Sequence, residues 1–134
     1  MDMKKIVMDR LLNHEKDTGA IASMSRECDL LDLDVELARR EGRPEAEIEQ
    51  LSQQRQYLLT RISLVTGRCE AVMDAVGRLD PDEQTALDVF FIHRQEHPGK
   101  VLAEMLHMDE RGAYRLRARA LADMARWMFG GCEV

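Results

Sequence analysis

Apolar residues fall into several runs of helical spacing along this chain, the longest near its middle. Ile48, Leu51, Arg55, Leu58, Ile62, Val65, Cys69, Val72, Val76 and Leu79 follow one another at alternating steps of three and four, with Arg55 the sole polar member. The spacing predicts one unbroken helix, roughly 50 Å long at a rise of about 1.5 Å per residue. Upstream, Met3, Val7, Ile21, Met24, Cys28, Leu31, Val35 and Ala38 keep the same spacing. Their register passes through Arg10, His14 and Asp17, poor residues for a seam, and then reaches Gly19. A break or weak turn is therefore expected near Asp17–Gly19. The alternative is a continuous helix, since one glycine costs only about 1 kcal/mol relative to alanine.

Glu41-Gly42-Arg43-Pro44 separates these two runs. Gly42 suits a helix C-terminus and Pro44 the first turn of the next helix. Glu45, Glu47 and Glu49 then place negative charge where the helix dipole favours it. Residues 1–79 thus read as an antiparallel helical hairpin or coiled coil. One seam leaves Leu30, Leu37 and Leu59 uncovered, so self-association is expected, a dimer in the first place. The positions assigned to it are Leu51, Leu58, Ile62, Val65 and Val72. The alternative is a hairpin packed only against its own C-terminal unit.

Gly77 and Asp80-Pro81 mark that unit, residues 80–129. Asp80 is a good N-cap, Pro81 fits the first helical position, and Glu83 completes a capping box. The helix continues through DEQTALDVFFIHRQ, with Ala86, Leu87, Phe90 and Phe91 expected in the core. His97-Pro98-Gly99 reads as a loop, because Pro98 disfavours helix at His97. Val101, Leu102, Met105 and Leu106 give a short helix an apolar face, opened by Lys100. His107 and Met108 fill a turn, Asp109 caps the next helix, and Ala113, Leu116, Ala120, Leu121 and Met124 give that helix its buried side. Arg111, Arg115 and Arg119 recur every fourth residue on its other side. A short helix, a tight turn and a basic helix form the layout of a helix-turn-helix. Residues 130–134 are left as a tail.

Composition supports an all-α chain. Of 134 residues only 4% are aromatic and three are proline, while nine are methionine, which favours aliphatic packing of helix on helix. The net charge of -6 argues against general coating of nucleic acid. Locally the sign reverses: between Met108 and Arg126 five arginines face Asp109, Glu110 and Asp123. Cys28, Cys69 and Cys132 form no CxxC pair, and their odd number without an export signal predicts reduced thiols in the cytoplasm. The short apolar run at the N-terminus, interrupted by Asp9 and Arg10, predicts neither a signal peptide nor a membrane span.

The block VLAEMLHMDERGAYRLRARAL, Val101 to Leu121, resembles the promoter-reading end (region 4) of sigma-70-type factors. In that pattern an (I/L)AxxL scaffold helix leads across a turn to a recognition helix ending in RAL or KAL. Together with the helical N-terminal part and the length, the chain looks like phage late-transcription regulators of the ArpU/RinA type. The motif covers roughly the last third of the chain. The resemblance implies a DNA-binding transcription regulator, phage or prophage encoded, with RNA polymerase of the host as a further partner. It places Arg111, Gly112, Tyr114 and Arg115 against base edges and phosphates, Arg119 along the backbone and Lys100 at a phosphate. Gly112 stands where the family often carries a long polar side chain, Ala113 where it has a larger aliphatic residue, and His107 where the turn usually has glycine.

Catalysis is not expected. His93-Arg94-Gln95-Glu96-His97 matches the H-x-x-E-H string of inverted zinc peptidases, but Pro98 follows at once and the remaining chain is too short for the rest of such a site. No Ser/His/Asp set, phosphate-cradling glycine loop or EF-hand loop occurs, and no metal or cofactor is expected. Two rival readings use the same elements. One is a protein–protein adaptor docking on polymerase or a phage protein; the other is a small DNA-recognition subunit of a phage packaging machine.

Overall fold

A computed structural model describes residues 2–130. The chain is all-α: α1 spans Met3–Arg40, α2 Glu45–Gly77, α3 Pro81–Leu87, α4 Pro98–Leu106 and α5 Glu110–Phe129. A π-helical turn, Asp88–Ile92, extends α3, and no strand occurs among the described residues.

The expected break near Gly19 is absent, and α1 runs straight through it. Asp17 is only half-buried, Thr18 Oγ1 lies 3.9 Å from Cys69 Sγ, and the Cα of Gly19 faces open space. A single glycine penalty does not outweigh helix propagation on both sides.

The chain divides into two compact units. Lys16–Cys69 forms one; residues up to Glu15 together with those from Glu70 onward form the other. The first is the antiparallel hairpin, turned at Gly42 with φ 68°. Arg55, the polar seam member, lies with Nε 2.5 Å from Asp32 Oδ1 of α1. Cys28 reaches the Arg55 carbonyl while Cys69 sits beside Thr18, so the two thiols occupy different levels of the hairpin and are free. Cys132 lies outside the described residues. Ile48 and Val65 are buried and Leu51, Leu58 and Ile62 are half-buried along the seam that carries Arg55 and Cys69. Four of the positions assigned to oligomerisation, Leu51, Leu58, Ile62 and Val65, therefore share the stripe that packs on α1. The fifth, Val72, is buried in the other unit. Leu30, Leu33 and Leu37 remain exposed on α1, half a turn away from its seam.

The second unit does not begin at Asp80. Its core unites Val7 and Leu11 of α1 and Val72, Ala75, Val76 and Leu79 around α2's end with the apolar faces of α3, α4 and α5. Three short helices bury too little surface alone, and the ends of the long helices supply what is missing. Asp80 caps α3 as expected, accepting from the Glu83 N–H at 2.8 Å while Glu83 Oε1 accepts from the Asp80 N–H. The helix beyond α3 widens rather than running on to Gln95: the His93 N–H donates to the Asp88 carbonyl, five residues back, and His93 Nδ1 lies 2.6 Å from Asp88 Oδ1. Val89, Phe90 and Phe91 are all buried at this turn. Pro98 and Gly99, expected in a loop, instead open α4, because the first helical turn needs no proline N–H.

Candidate nucleic-acid interface

Helices α4 and α5 are joined by the turn His107–Asp109. His107 adopts φ 56° and ψ 50°, the left-handed conformation that glycine usually supplies, and the turn closes through Met108 N–H to the Ala103 carbonyl. Asp109 then caps α5 by accepting from the Gly112 N–H at 2.7 Å. A Cβ on Gly112 would stand 3.0 Å from the Asp109 carboxylate and 3.5 Å from Met108 Sδ. Gly112 thus lets the cap close tightly, at the cost of a side chain that could reach outward.

The buried face of α5 is as the periodicity predicts: Ala113, Leu116, Ala120, Leu121 and Met124 are all buried. On α4, Leu102 and Ala103 are buried and Val101 and Leu106 partly so, but Met105, expected in the apolar face, is 54% exposed. It lies two steps from Ala103, which takes the inward position.

Tyr114 is half-exposed and anchored on both sides. Its ring meets Phe90 edge-on with centroids 5.3 Å apart, and it covers Gly99 so closely that a Cβ there would be 2.5 Å from Cε2. This contact sets the first turn of α4, with Lys100, beside the first turns of α5, with Arg111 and Arg115. Those three cations are exposed and have no ion-pair partner among the described residues. Glu110, an exposed acid, shares the first turn of α5.

The other two arginines on the first three turns of α5 are committed inside the unit. Arg119, expected on the DNA backbone, donates through Nη2 to Asp80 Oδ2 at 3.1 Å and through Nε to Glu83 Oε2 at 3.4 Å. Its guanidinium joins α5 to the capping box of α3. Arg117 lies over Phe91 and Phe90, 5.0 and 5.4 Å from the ring centroids, and its Nη2 reaches Met8 Sδ at 3.6 Å. Nothing in the four-residue spacing separates Arg119 from Arg111 and Arg115, whereas Arg117 stands four residues from both Ala113 and Leu121 of the buried stripe.

Glu83 is the buried charged residue of this unit, 3% exposed. Burial pushes its carboxyl above the usual glutamate range, and the hydrogen bond it shares with Asp123 adds to that. Asp123 is held below its usual range, first by that hydrogen bond and then by Arg126. Sequence reasoning read Glu83 only as a capping residue and did not place Asp123 beside it. The pairing depends on α5 crossing α3.

His93 and His97 do not share a helical face. His93 pairs with Asp88 at the end of the π turn, which raises its pKa above the ordinary histidine value. His97 has φ 53° and precedes Pro98 at the start of α4. Among the described residues no group of three or more His, Cys, Asp or Glu side chains is arranged to hold a metal ion. Nor is any helix among them long and apolar enough to cross a membrane. No family profile, curated protein or solved structure matches the chain.

Proposed function

We propose that this chain is a non-catalytic regulator of transcription that reads duplex DNA with the N-terminal half of α5. One observation carries the reading. Of the arginines on α5's first three turns, the structure commits Arg117 and Arg119 to neighbours and leaves Arg111 and Arg115 exposed beside Lys100. Two uncommitted guanidinium groups at the start of a helix, with a lysine at the start of the preceding one, suit a major groove flanked by phosphates. The sigma-like residue order from Val101 to Leu121 supports transcription as the setting and a phage or prophage as the source, acting in the cytoplasm of the host. Self-association, where it occurs, would use the exposed stripe Leu30, Leu33 and Leu37 and set the spacing of two half-sites.

A binding selection from fragmented genomic DNA at near-physiological salt tests this reading. It compares the native protein with the R111A/R115A variant, after circular dichroism has verified that both are equally helical. Enrichment of one sequence by the native protein alone supports a sequence-reading regulator; no enrichment by either removes it.

Two observations favour a second reading, an adaptor that docks on another protein. The net charge is -6, and Gly112 offers no side chain to a base at the third position of α5. A DNA affinity that hardly changes with salt would favour the adaptor.

A further inference from the structure

The opposite end of α5 carries a feature that DNA reading does not use. Trp127, the one tryptophan of the sequence, is 53% exposed, although indole is among the costliest surfaces to leave in water. The Arg78 guanidinium at the end of α2 lies 4.9 Å from the centroid of its ring. Two pockets meet at this pair. One, of about 400 Å³, is bounded by Arg10, Arg78, Trp127, Met128 and Phe129, with Asp74 the acid at its wall. The other, of about 390 Å³, lies between Arg78, Leu79, Trp127 and the Glu83, Asp123 and Arg126 group.

The charges of the two pockets differ in kind. In the second, Arg126 is already paired with Asp123, and the apolar faces of Leu79 and Trp127 remain. In the first, Arg10 and Arg78 have no carboxylate partner among the described residues and outnumber Asp74. Both guanidinium groups line one pocket and can pair with carboxylates of a ligand, and the indole beside them offers an apolar side chain a surface. We infer that this surface docks an acidic peptide segment of another protein, one that carries apolar side chains among its carboxylates.

Tryptophan and arginine in a concave, partly desolvated setting are the residues that concentrate binding energy at protein interfaces. An extended polyanion such as DNA fits less well, because Asp74, Glu83 and Asp123 interrupt the basic surface. Arg111 and Trp127 are sixteen positions apart on α5, about 24 Å at 1.5 Å per residue, so both ends can be occupied together. The inference does not depend on DNA reading and stands if that reading fails.

Because Trp127 is the sole tryptophan, its emission reports occupancy of this surface in the full chain. The probe is a short synthetic peptide with leucines among glutamates, titrated against the native protein, R10A and R78K. Controls are the same peptide with glutamine for every glutamate, a polyglutamate peptide and a duplex of unrelated sequence. The expected result is a saturable emission change with the acidic peptide. Replacing glutamate by glutamine, or Arg10 by Ala, should weaken it about tenfold, roughly 1.4 kcal/mol, with R78K intermediate. Arg10 lies on α1 and is not the residue stacked on the indole, so its loss tests charge without unseating the ring.

Equal affinity for the glutamine peptide would overturn the inference in favour of a bare apolar patch, and no emission change with any peptide would end it. A duplex that displaces the peptide would make the surface a nucleic-acid site. Emission that varies with protein concentration alone would make the occupant a second copy of the chain. Binding only to a chain lacking residues 131–134 would make it the chain's own end.

Discussion

The ring of Tyr114 lies on the backbone of Gly99, and a methyl group at that glycine would come within 2.5 Å of Cε2. Gly99 is needed here for close approach, since its φ is not positive. Gly99→Ala should push the ring away and cost about 1–3 kcal/mol, the usual range for overpacking. In a Tyr114→Ala background the same substitution should cost far less. Urea denaturation of the four proteins measures the coupling; additive effects would mean the ring moves aside freely.

Gly19 and Gly67 lie inside α1 and α2, and a Cβ on either would meet nothing within 4 Å. Gly19→Ala and Gly67→Ala should each stabilise the fold by about 0.5–1 kcal/mol, by restricting the unfolded chain and favouring helix. Thermal denaturation checks this. Gly42 is the contrasting case: with φ 68°, alanine there should destabilise.

The arginines of α5 should separate in a salt titration of DNA affinity. Arg111→Ala and Arg115→Ala should each reduce the slope of log K against log salt by about 1 wherever the side chain touches a phosphate. Arg119→Ala should leave the slope unchanged and instead lower stability by about 1 kcal/mol, because it removes the link to Asp80 and Glu83. A slope change on losing Arg119 would show that DNA draws it out of that link.

Glu83 and Asp123 act in opposite directions with pH. Because its folded-state pKa is raised, Glu83 contributes stability below the ordinary glutamate range and loses it as pH rises through the raised value. Asp123, held low, contributes above the ordinary aspartate range and loses it as pH falls through its lowered value. Glu83→Gln retains a donor toward Asp123 and an acceptor for the Asp80 N–H but cannot ionise. Its stability relative to the native protein should improve as pH rises from the carboxylate range toward neutrality. Denaturant midpoints across that range test it, and a constant difference would show that Glu83 titrates normally.

His93 offers a local probe of the π turn. Its hydrogen bond to Asp88 raises its pKa, so the pair contributes below the ordinary histidine value and is lost as pH rises through the raised one. NMR titration of the imidazole should give a value above 6.5 in the native protein. In Asp88→Asn it should fall back toward that of an exposed histidine.

Particular residues show where the sequence was legible. The capping box of Asp80 and Glu83, the left-handed turn at His107 and the Asp109 cap were readable because each depends on neighbours within a few positions. So was the buried stripe from Ala113 to Met124, since helix geometry fixes which residues share a face. The π turn at Asp88–Ile92 and the unbroken α1 were not, because each is a close balance of local terms that packing tips.

The sequence by itself determined that the protein is all-α, where its hairpin turns, and which residues of α5 face inward. Those outcomes follow from periodicity and capping, which are short-range. Only the tertiary structure decided that Val7 and Leu11 join the core of the C-terminal unit. The same holds for Arg119, which binds the cap of α3, and for Tyr114, which leans on Gly99. It decided too that Arg78 stacks on Trp127. Each of these pairs residues from different helices, and a one-dimensional pattern of charges records neither the crossing of helices nor which guanidinium finds a partner.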